Sequence, residues 1–336
     1  MALEPIRPDE AVELYLEDRR SELAKATQYA HSSRLGHFIR WCDEQDIDDL
    51  NELTGRTLHR YRLWRRADGE LAPPSEKSQM DTLRVFIRWC GTIDAVPTDL
   101  WSKVVSPSLA DGENSRDVML DSQVTDGILE YLSTYEYASE RHVTFLLIWH
   151  ALLRRGAIHA LDVDDYDPQE MSLDVPHRPE METPIKNKFN GERFIALSAE
   201  TCSVLDAWLA DRRPDTVDEY GRTPLLSTAQ GRAHLTTIQA YVYSITRPCV
   251  FTDCPHDRDV SQCRAASDRS QAFGCPSSVS PHAVRRGAIT HWLNSDVPEP
   301  VVSARANVST VVLDEHYDRR TERDKMEQRR RYLNQV

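Results

Sequence analysis

Ser280-Pro281-His282-Ala283-Val284-Arg285-Arg286-Gly287 is the stretch on which this chain turns, read together with Glu315-His316-Tyr317-Asp318-Arg319-Arg320 further on. Residues three apart on a helix share a face, so His282 and Arg285 present an imidazole and a guanidinium to one anionic group. Tyr317 then reads as a nucleophile. A His-x-x-Arg pair is common by chance, and a tyrosine among charges is more often a half-buried surface residue. A third element upstream changes this balance. In Leu152-Leu153-Arg154-Arg155-Gly156-Ala157-Ile158, an apolar helix spanning Phe145 to Leu153 is expected to end in paired arginines, an arrangement that calls for an anion.

From about Met119 to Arg323 the order, spacing and types of these residues resemble the tyrosine recombinases, also called the phage integrase family. The resemblance implies that Arg154 is the first arginine of the site, His282 and Arg285 its His-x-x-Arg, and Tyr317 its nucleophile. It also implies a lysine on a β-hairpin as the acid. Lysine is scarce, at six in the chain, yet Lys186 and Lys188 both fall in Ile185-Lys186-Asn187-Lys188-Phe189-Asn190-Gly191. Lys186, at the end of the first strand, is preferred, and Lys188 is the alternate. Two positions depart from the family pattern. Ala157 stands where an acidic residue is usual, and Asn307-Val308 stands where Gly-His is usual.

Phosphodiester exchange without a cofactor needs a nucleophile, cations that neutralise the pentavalent phosphorane, and an acid for the leaving 5′ oxygen. Arg154 and Arg285 suit the second task, because a guanidinium stays charged and forks across two phosphate oxygens. His282 suits proton transfer or a further hydrogen bond to phosphate, and Tyr317 would form a 3′-phosphotyrosyl bond. The expected function is therefore site-specific DNA recombination or integration. A non-catalytic DNA-binding regulator of the same fold, suggested by Ala157 and Asn307-Val308, and a type IB topoisomerase-like enzyme stand as alternatives.

A chain of 336 residues suits two domains. No apolar run approaches the roughly 20 residues of a membrane span, and the first residues lack a signal-peptide pattern, so a cytoplasmic protein is expected. The net charge of −13 at first opposes nucleic-acid binding, which relies on Lys and Arg against phosphate. An acidic, lysine-poor, arginine-rich composition resembles haloarchaeal proteins, however, and then reports habitat more than partner. The basic residues cluster. Arg60, Arg62, Arg65 and Arg66 are expected on the DNA backbone, as are Arg155 and Arg286 beside the motifs, with double-stranded DNA as the partner.

The expected fold is mainly α with a small β-sheet: a helical core-binding DNA-clamp domain over 1–105, a linker over 106–118, and a mixed α+β catalytic domain over 119–336. Leu35, Phe38, Ile39 and Cys42 follow the i, i+3, i+4, i+7 spacing of a buried helix face, as do Leu83, Phe86, Ile87 and Cys90. A helix is expected over Leu58 to Trp64, and Ala72-Pro73-Pro74-Ser75 opens the next. Ser106 to Ser115 is polar and lacks an apolar period. Beyond it, helices are expected over Asp121–Leu132 and Glu140–Leu153, then strands over Met171–Val175, Thr183–Lys186 and Arg193–Leu197. Asn190-Gly191 reads as the turn between the last two strands. Further helices are expected at Ala199–Ala210 and Leu235–Ile245.

Four of the seven cysteines, Cys249, Cys254, Cys263 and Cys275, lie in one polar insert over 249–275 with His256 nearby. Cysteines clustered in a loop of an intracellular protein favour a structural zinc site over disulfides. The spacing Cys-x4-Cys-x8-Cys-x11-Cys lacks paired Cys-x-x-Cys knuckles, and four of the five candidates would close the site. Cys42, Cys90 and Cys202 read as core thiols. Past Tyr317 the segment from Glu322 to Leu333 is helix-compatible, highly charged and nearly without an apolar face. The family resemblance implies self-association on DNA as a tetramer, and this tail is expected to dock on a neighbouring protomer or along DNA.

Overall fold

Buried faces three and four residues apart build the first of two units, Met1–Arg116. The computed structural model describes residues 3–110, 118–318 and 320–330. In this unit α1 (Pro8–Asp18), α2 (Lys25–Glu44), α3 (Gly55–Asp68) and α4 (Pro73–Cys90) surround one core. Leu35, Phe38 and Cys42 of α2 and Leu83, Phe86, Ile87 and Cys90 of α4 are buried in it, and Ile39 packs at its edge. The Cys42 thiol is pushed up to about 12 by burial, as suits an inert core sulfur. α3 begins at a capping box between Thr54 and Thr57. Pro73 and Pro74 open α4, where a missing N–H costs no helical hydrogen bond.

The four expected DNA-facing arginines of α3 divide into two pairs. Arg65 is only 6 % exposed and reaches Asp68 at 3.4 Å, while the Arg62 Nε donates to Glu76 Oε1 at 2.5 Å, and Glu76 is itself 3 % exposed. A buried carboxylate needs a cation beside it, so Arg62 serves the interior, and Arg65 is itself buried; both are withdrawn from the expected DNA-facing set. Arg60 and Arg66 remain exposed. The linker expected over 106–118 lies partly outside the described residues.

The second unit, Asp117–Val336, gathers α5 (Ser122–Tyr135), α6 (Glu140–Trp149), α7 (Arg155–Ala160), α8 (Ala199–Ala207) and α9 (Leu235–Ile245). After these come α10 (Arg264–Ser267), α11 (Pro281–Asn294), α12 (Glu299–Ala306), α13 (Thr310–His316) and α14 (Glu322–Arg330). One antiparallel sheet has the order β1 (Tyr166–Asp167), β2 (Ser172–Val175), β3 (Arg193–Ala196), with Leu173 opposite Ile195. A second pairs β4 (Ser227–Thr228) with β5 (Gly231–Arg232). α6 is buried from His142 to Trp149 and forms the centre of the core.

Three expectations are corrected here. α6 stops at Trp149, four residues before the expected Leu153, because Leu152 turns left-handed at φ 54° and Leu153 N–H bonds back to Leu147 O at 3.1 Å. Arg154 therefore sits at the N-cap of α7 and not at the end of a buried helix. The expected strand over Thr183–Lys186 is a single bridge between Arg178 and Thr183, and β2 pairs directly with β3. The segment between them closes with Lys188–Gly191 in a 3₁₀ turn. Gly191 is needed there for close approach: a Cβ on it would sit 2.3 Å from Lys186 O. The helix expected over Ala199–Ala210 is regular to Ala207 and widens into a π turn over Trp208–Arg212.

Candidate anion-binding and nucleophile site

α11 begins where Ser280 Oγ accepts from Ala283 N–H at 3.3 Å and Pro281 takes the first turn. Gly287 of the same motif lets the helix meet the segment at Leu120, where a Cβ would lie 2.1 Å from Leu120 O. Leu120 N–H bonds Ala283 O at 3.1 Å, which fixes the entry of the unit onto α11. The helix thus carries His282 at its exposed edge and buries Arg285 and Arg286, at 2 % and 5 % exposure.

The arginines converge on the last carbonyls of α12. These are the groups a helix leaves without internal partners, and they carry its partial negative charge. Arg193, from β3, donates through Nε to Arg305 O at 2.9 Å and through Nη1 to Gly191 O at 2.7 Å. Arg154 Nη2 donates to Asn307 O at 3.0 Å and Nη1 to Ala306 O at 3.5 Å, and Arg285 Nη2 also donates to Ala306 O. Arg305 turns the other way and bonds His150 O and Ala196 O, clamping α12 to the end of α6 and to β3. Burial lowers the pKa of each of these guanidiniums. Arg285 falls to about 9, with Arg154 the next cause, and Arg193 falls to about 10, again with Arg154 beside it.

Among the described residues no carboxylate pairs with Arg154, Arg193 or Arg285, and Arg285 Nη1 is buried with no hydrogen-bond partner. Buried cations without a counter-charge are expensive, so the arrangement suits an anion. Ala157, at the position expected from the resemblance to be acidic, is buried and apolar. Carbonyls of Ala306 and Asn307 hold Arg154 in its place.

Tyr317 ends α13 at 8 % exposure, with its amide on Leu313 O at 2.9 Å and its carbonyl accepting from Thr290 Oγ1 at 3.0 Å. Arg286 lies 6.0 Å over its ring. An ionised phenol there would raise the pKa of both Arg154 and Arg285, so the tyrosine stands within electrostatic reach of the pair. Desolvation, and then the charges of Arg285, Arg286 and Arg154, hold His282 below the ordinary histidine range and neutral at pH 7. The structure therefore brings Arg154, His282, Arg285 and Tyr317 together. Lys186 and Lys188 are exposed on the loop preceding β3, and Asn307 ties that loop to the arginines through Asn187 and Asn190.

Of the remaining sequence-derived candidates, Arg155 donates to Gln239 Oε1 and Arg286 is buried against Tyr317, so neither presents a free surface guanidinium. Cys249, Cys254, Cys263 and Cys275 are free and partly exposed. The Cys249 thiol is pushed up first by burial, with Cys275, Cys254 and Cys263 contributing in the same direction, so these three lie within electrostatic reach of Cys249. Among the described residues, no group of three or more His, Cys, Asp or Glu is arranged to hold a metal ion, and His256 Nε2 is engaged with Ser277 Oγ at 3.0 Å. The start of the tail, which is expected to dock on a neighbouring protomer or along DNA, contacts its own unit, where Lys325 reaches Asp314 and also Asp318 at 3.5 Å. Asp318 is held down to about 2, against the effect of its burial, by Arg320 and Lys325. Arg319, Arg331 and Tyr332 lie outside the described residues. No described helix is long and apolar enough to cross a membrane.

Arg193 and Arg305 were not among the sequence-derived candidates. A signal existed for Arg193, since alternate residues of a strand share a face and Ile195 is apolar.

No protein-family model matches the chain, and no curated protein matches it. Among solved structures, a complex of the Tn1549 transposon integrase with circular intermediate DNA matches at a TM-score of 0.65 and 12 % identity, over 97 % of this chain and 99 % of that one. A lambda integrase dimer bound to a COC′ core site matches at 0.65 and 11 % identity, over 95 % of this chain and 79 % of that one. The N-terminal domain of a phage integrase/site-specific recombinase from Haloarcula marismortui is 35 % identical over 31 % of this chain and 99 % of its own, at a TM-score of 0.30, too low to bear on the fold. The two long matches establish the fold alone.

Proposed function

We propose that this chain, which has the two-domain fold of the tyrosine recombinases, is a site-specific DNA recombinase that cuts and rejoins double-stranded DNA through a 3′-phosphotyrosyl intermediate. The observation that carries the proposal is Arg285 Nη1, buried without a partner beside Arg154 and within reach of Tyr317. A phosphodiester supplies the missing acceptor. Arg154 and Arg285 then neutralise the charge that builds on the non-bridging oxygens in the transition state, and Arg193 adds a third positive charge. Tyr317 Oη attacks phosphorus as the bond to the 5′ oxygen breaks. His282, neutral at pH 7, accepts the phenolic proton or bonds a phosphate oxygen. Rejoining reverses these steps.

Lys186 is assigned the proton given to the leaving 5′ oxygen, with Lys188 as the alternate. Lys186→Ala is expected to lose cleavage of ordinary DNA and to regain it on a substrate whose bridging 5′ oxygen is sulfur, a leaving group that needs no proton. Rescue of Lys188→Ala instead reassigns the acid, and rescue of neither makes the loop structural. Arg60 and Arg66, exposed on α3, are assigned to the DNA backbone, and assembly on paired sites is assigned to a tetramer.

A second reading, a DNA-binding regulator without strand cleavage, is favoured by Val308 and Ala157, which leave two supporting positions of the site apolar. A nicked substrate that releases the short strand after attack separates the two. The recombinase accumulates a covalent protein–DNA adduct, and the regulator binds and forms none. Relaxation of supercoiled DNA without strand exchange would indicate a topoisomerase.

The cysteine insert is proposed to bind one structural zinc, on the clustering of four free thiols within residues 249–275. The chain purified without chelator should carry about one zinc, the content of one four-ligand site, and Cys254→Ser or Cys263→Ser should release it. Metal analysis finding no zinc would end this proposal.

A further inference from the structure

Asn307 bonds both Arg154 and the lysine-bearing loop. It follows the last turn of α12 in the left-handed region, at φ 50° and ψ 58°, a conformation asparagine tolerates better than most residues. Its carbonyl accepts from Arg154 Nη2 at 3.0 Å. Its side chain faces the other way: Oδ1 accepts from Asn187 Nδ2 at 2.6 Å, and Nδ2 donates to Asn190 O at 3.1 Å. The two bonds thus bracket Lys188 and lie next to Lys186.

That loop needs holding. Asn187 and Lys188 are both left-handed, at φ 72° and 54°, and both lysines are exposed. Two successive residues in this region cost about 1–2 kcal/mol each unless the surroundings fix them. At its far end the loop is tight, where Gly191 passes against Lys186 O and Ile185 N–H bonds His177 Nδ1 at 3.1 Å. A glycine at 307 would serve the α12 terminus equally well, so the amide side chain is not explained by the backbone alone.

We infer that Asn307 is a positioning residue that sets the lysine of the 186–190 loop against a phosphate held by Arg154. This rests on the recombinase reading and adds to it a role that belongs to this chain's own departure at 307–308. Through one residue, the place of the anion and the place of the proton donor are fixed to each other. A misplacement of about 1 Å in such a constellation can cost about 100-fold in rate.

Asn307→Gly tests this, because glycine keeps the left-handed backbone and the carbonyl for Arg154 while removing both side-chain bonds. Cleavage of a nicked oxygen substrate is expected to fall by about 10- to 100-fold, the scale of a lost positioning contact, with DNA affinity unchanged. On the same substrate carrying a bridging 5′ sulfur, the variant is expected to match the unmodified chain. Asn187→Gly, which severs one of the two bonds from the loop side, should slow the oxygen substrate by less and likewise leave the sulfur substrate unchanged. Unchanged cleavage of the oxygen substrate by Asn307→Gly, or equal slowing on both substrates, overturns the role of Asn307. If the unmodified chain cleaves neither substrate, the recombinase reading fails, and this inference with it.

Discussion

Tyr317→Phe is expected to bind DNA as the unmodified chain does and to form no covalent adduct with a nicked substrate. The substitution removes one oxygen and leaves the ring, whose burial and contact with Arg286 do not depend on the hydroxyl. The backbone at this position is also held independently. Thr290 Oγ1 bonds the Tyr317 carbonyl, and Asp318 is fixed by the Arg320 amide and Nε at 3.0 and 2.8 Å. The thermal midpoint should therefore move little, so a loss of adduct cannot be laid to unfolding. An adduct recovered from the variant would move the nucleophile elsewhere, and Tyr332 is then the next phenol along the chain.

Arg285→Ala and Arg154→Ala should each lower cleavage by about 10²–10³-fold, the usual loss when one preorganised donor to a developing charge is removed. Binding should fall far less, because the charge these residues meet grows mainly in the transition state. Arg285 is the sharper test. Its guanidinium is held down to about 9 by burial and by Arg154, so the empty site bears it at a cost to the folded state. Arg285→Met, which keeps an unbranched apolar stem, is accordingly expected to leave thermal stability at pH 7 unchanged or raised while abolishing the cleavage gain. Parallel loss of binding and cleavage in the alanine variants would make the two arginines ground-state phosphate clamps instead.

Much of this site was legible because its chemistry is local in sequence. His282 and Arg285 share a helix face by spacing alone, and the periodic faces of α2 and α4 follow from Leu35, Phe38, Leu83 and Phe86 without tertiary information. Arg154 was found for a reason that does not hold: an apolar run predicts a helix through Leu153, whereas Leu152 breaks it with a positive φ that no pattern of apolar residues announces. The Asn190-Gly191 pair misled in a different way. Glycine there answers a close backbone approach to Lys186 O, not the left-handed turn its dipeptide suggests. Arg62 looked like a surface cation because its carboxylate partner, Glu76, lies on α4 and comes beside it only when α3 packs on that helix. In the convergence of Arg154, Arg193 and Arg285 on the carbonyls of α12, Arg154 and Arg193 come from more than a hundred residues away, and no side-chain partner is involved that a motif could record.

The most direct measurement is to trap the unmodified chain on a nicked substrate, digest the adduct with protease and nuclease, and locate the nucleotide-bearing residue by mass spectrometry. The proposed chemistry predicts a 3′-phosphonucleotide on Tyr317 and on no other residue. Attachment at a different side chain, or full occupancy of the DNA with no adduct at any time, contradicts it.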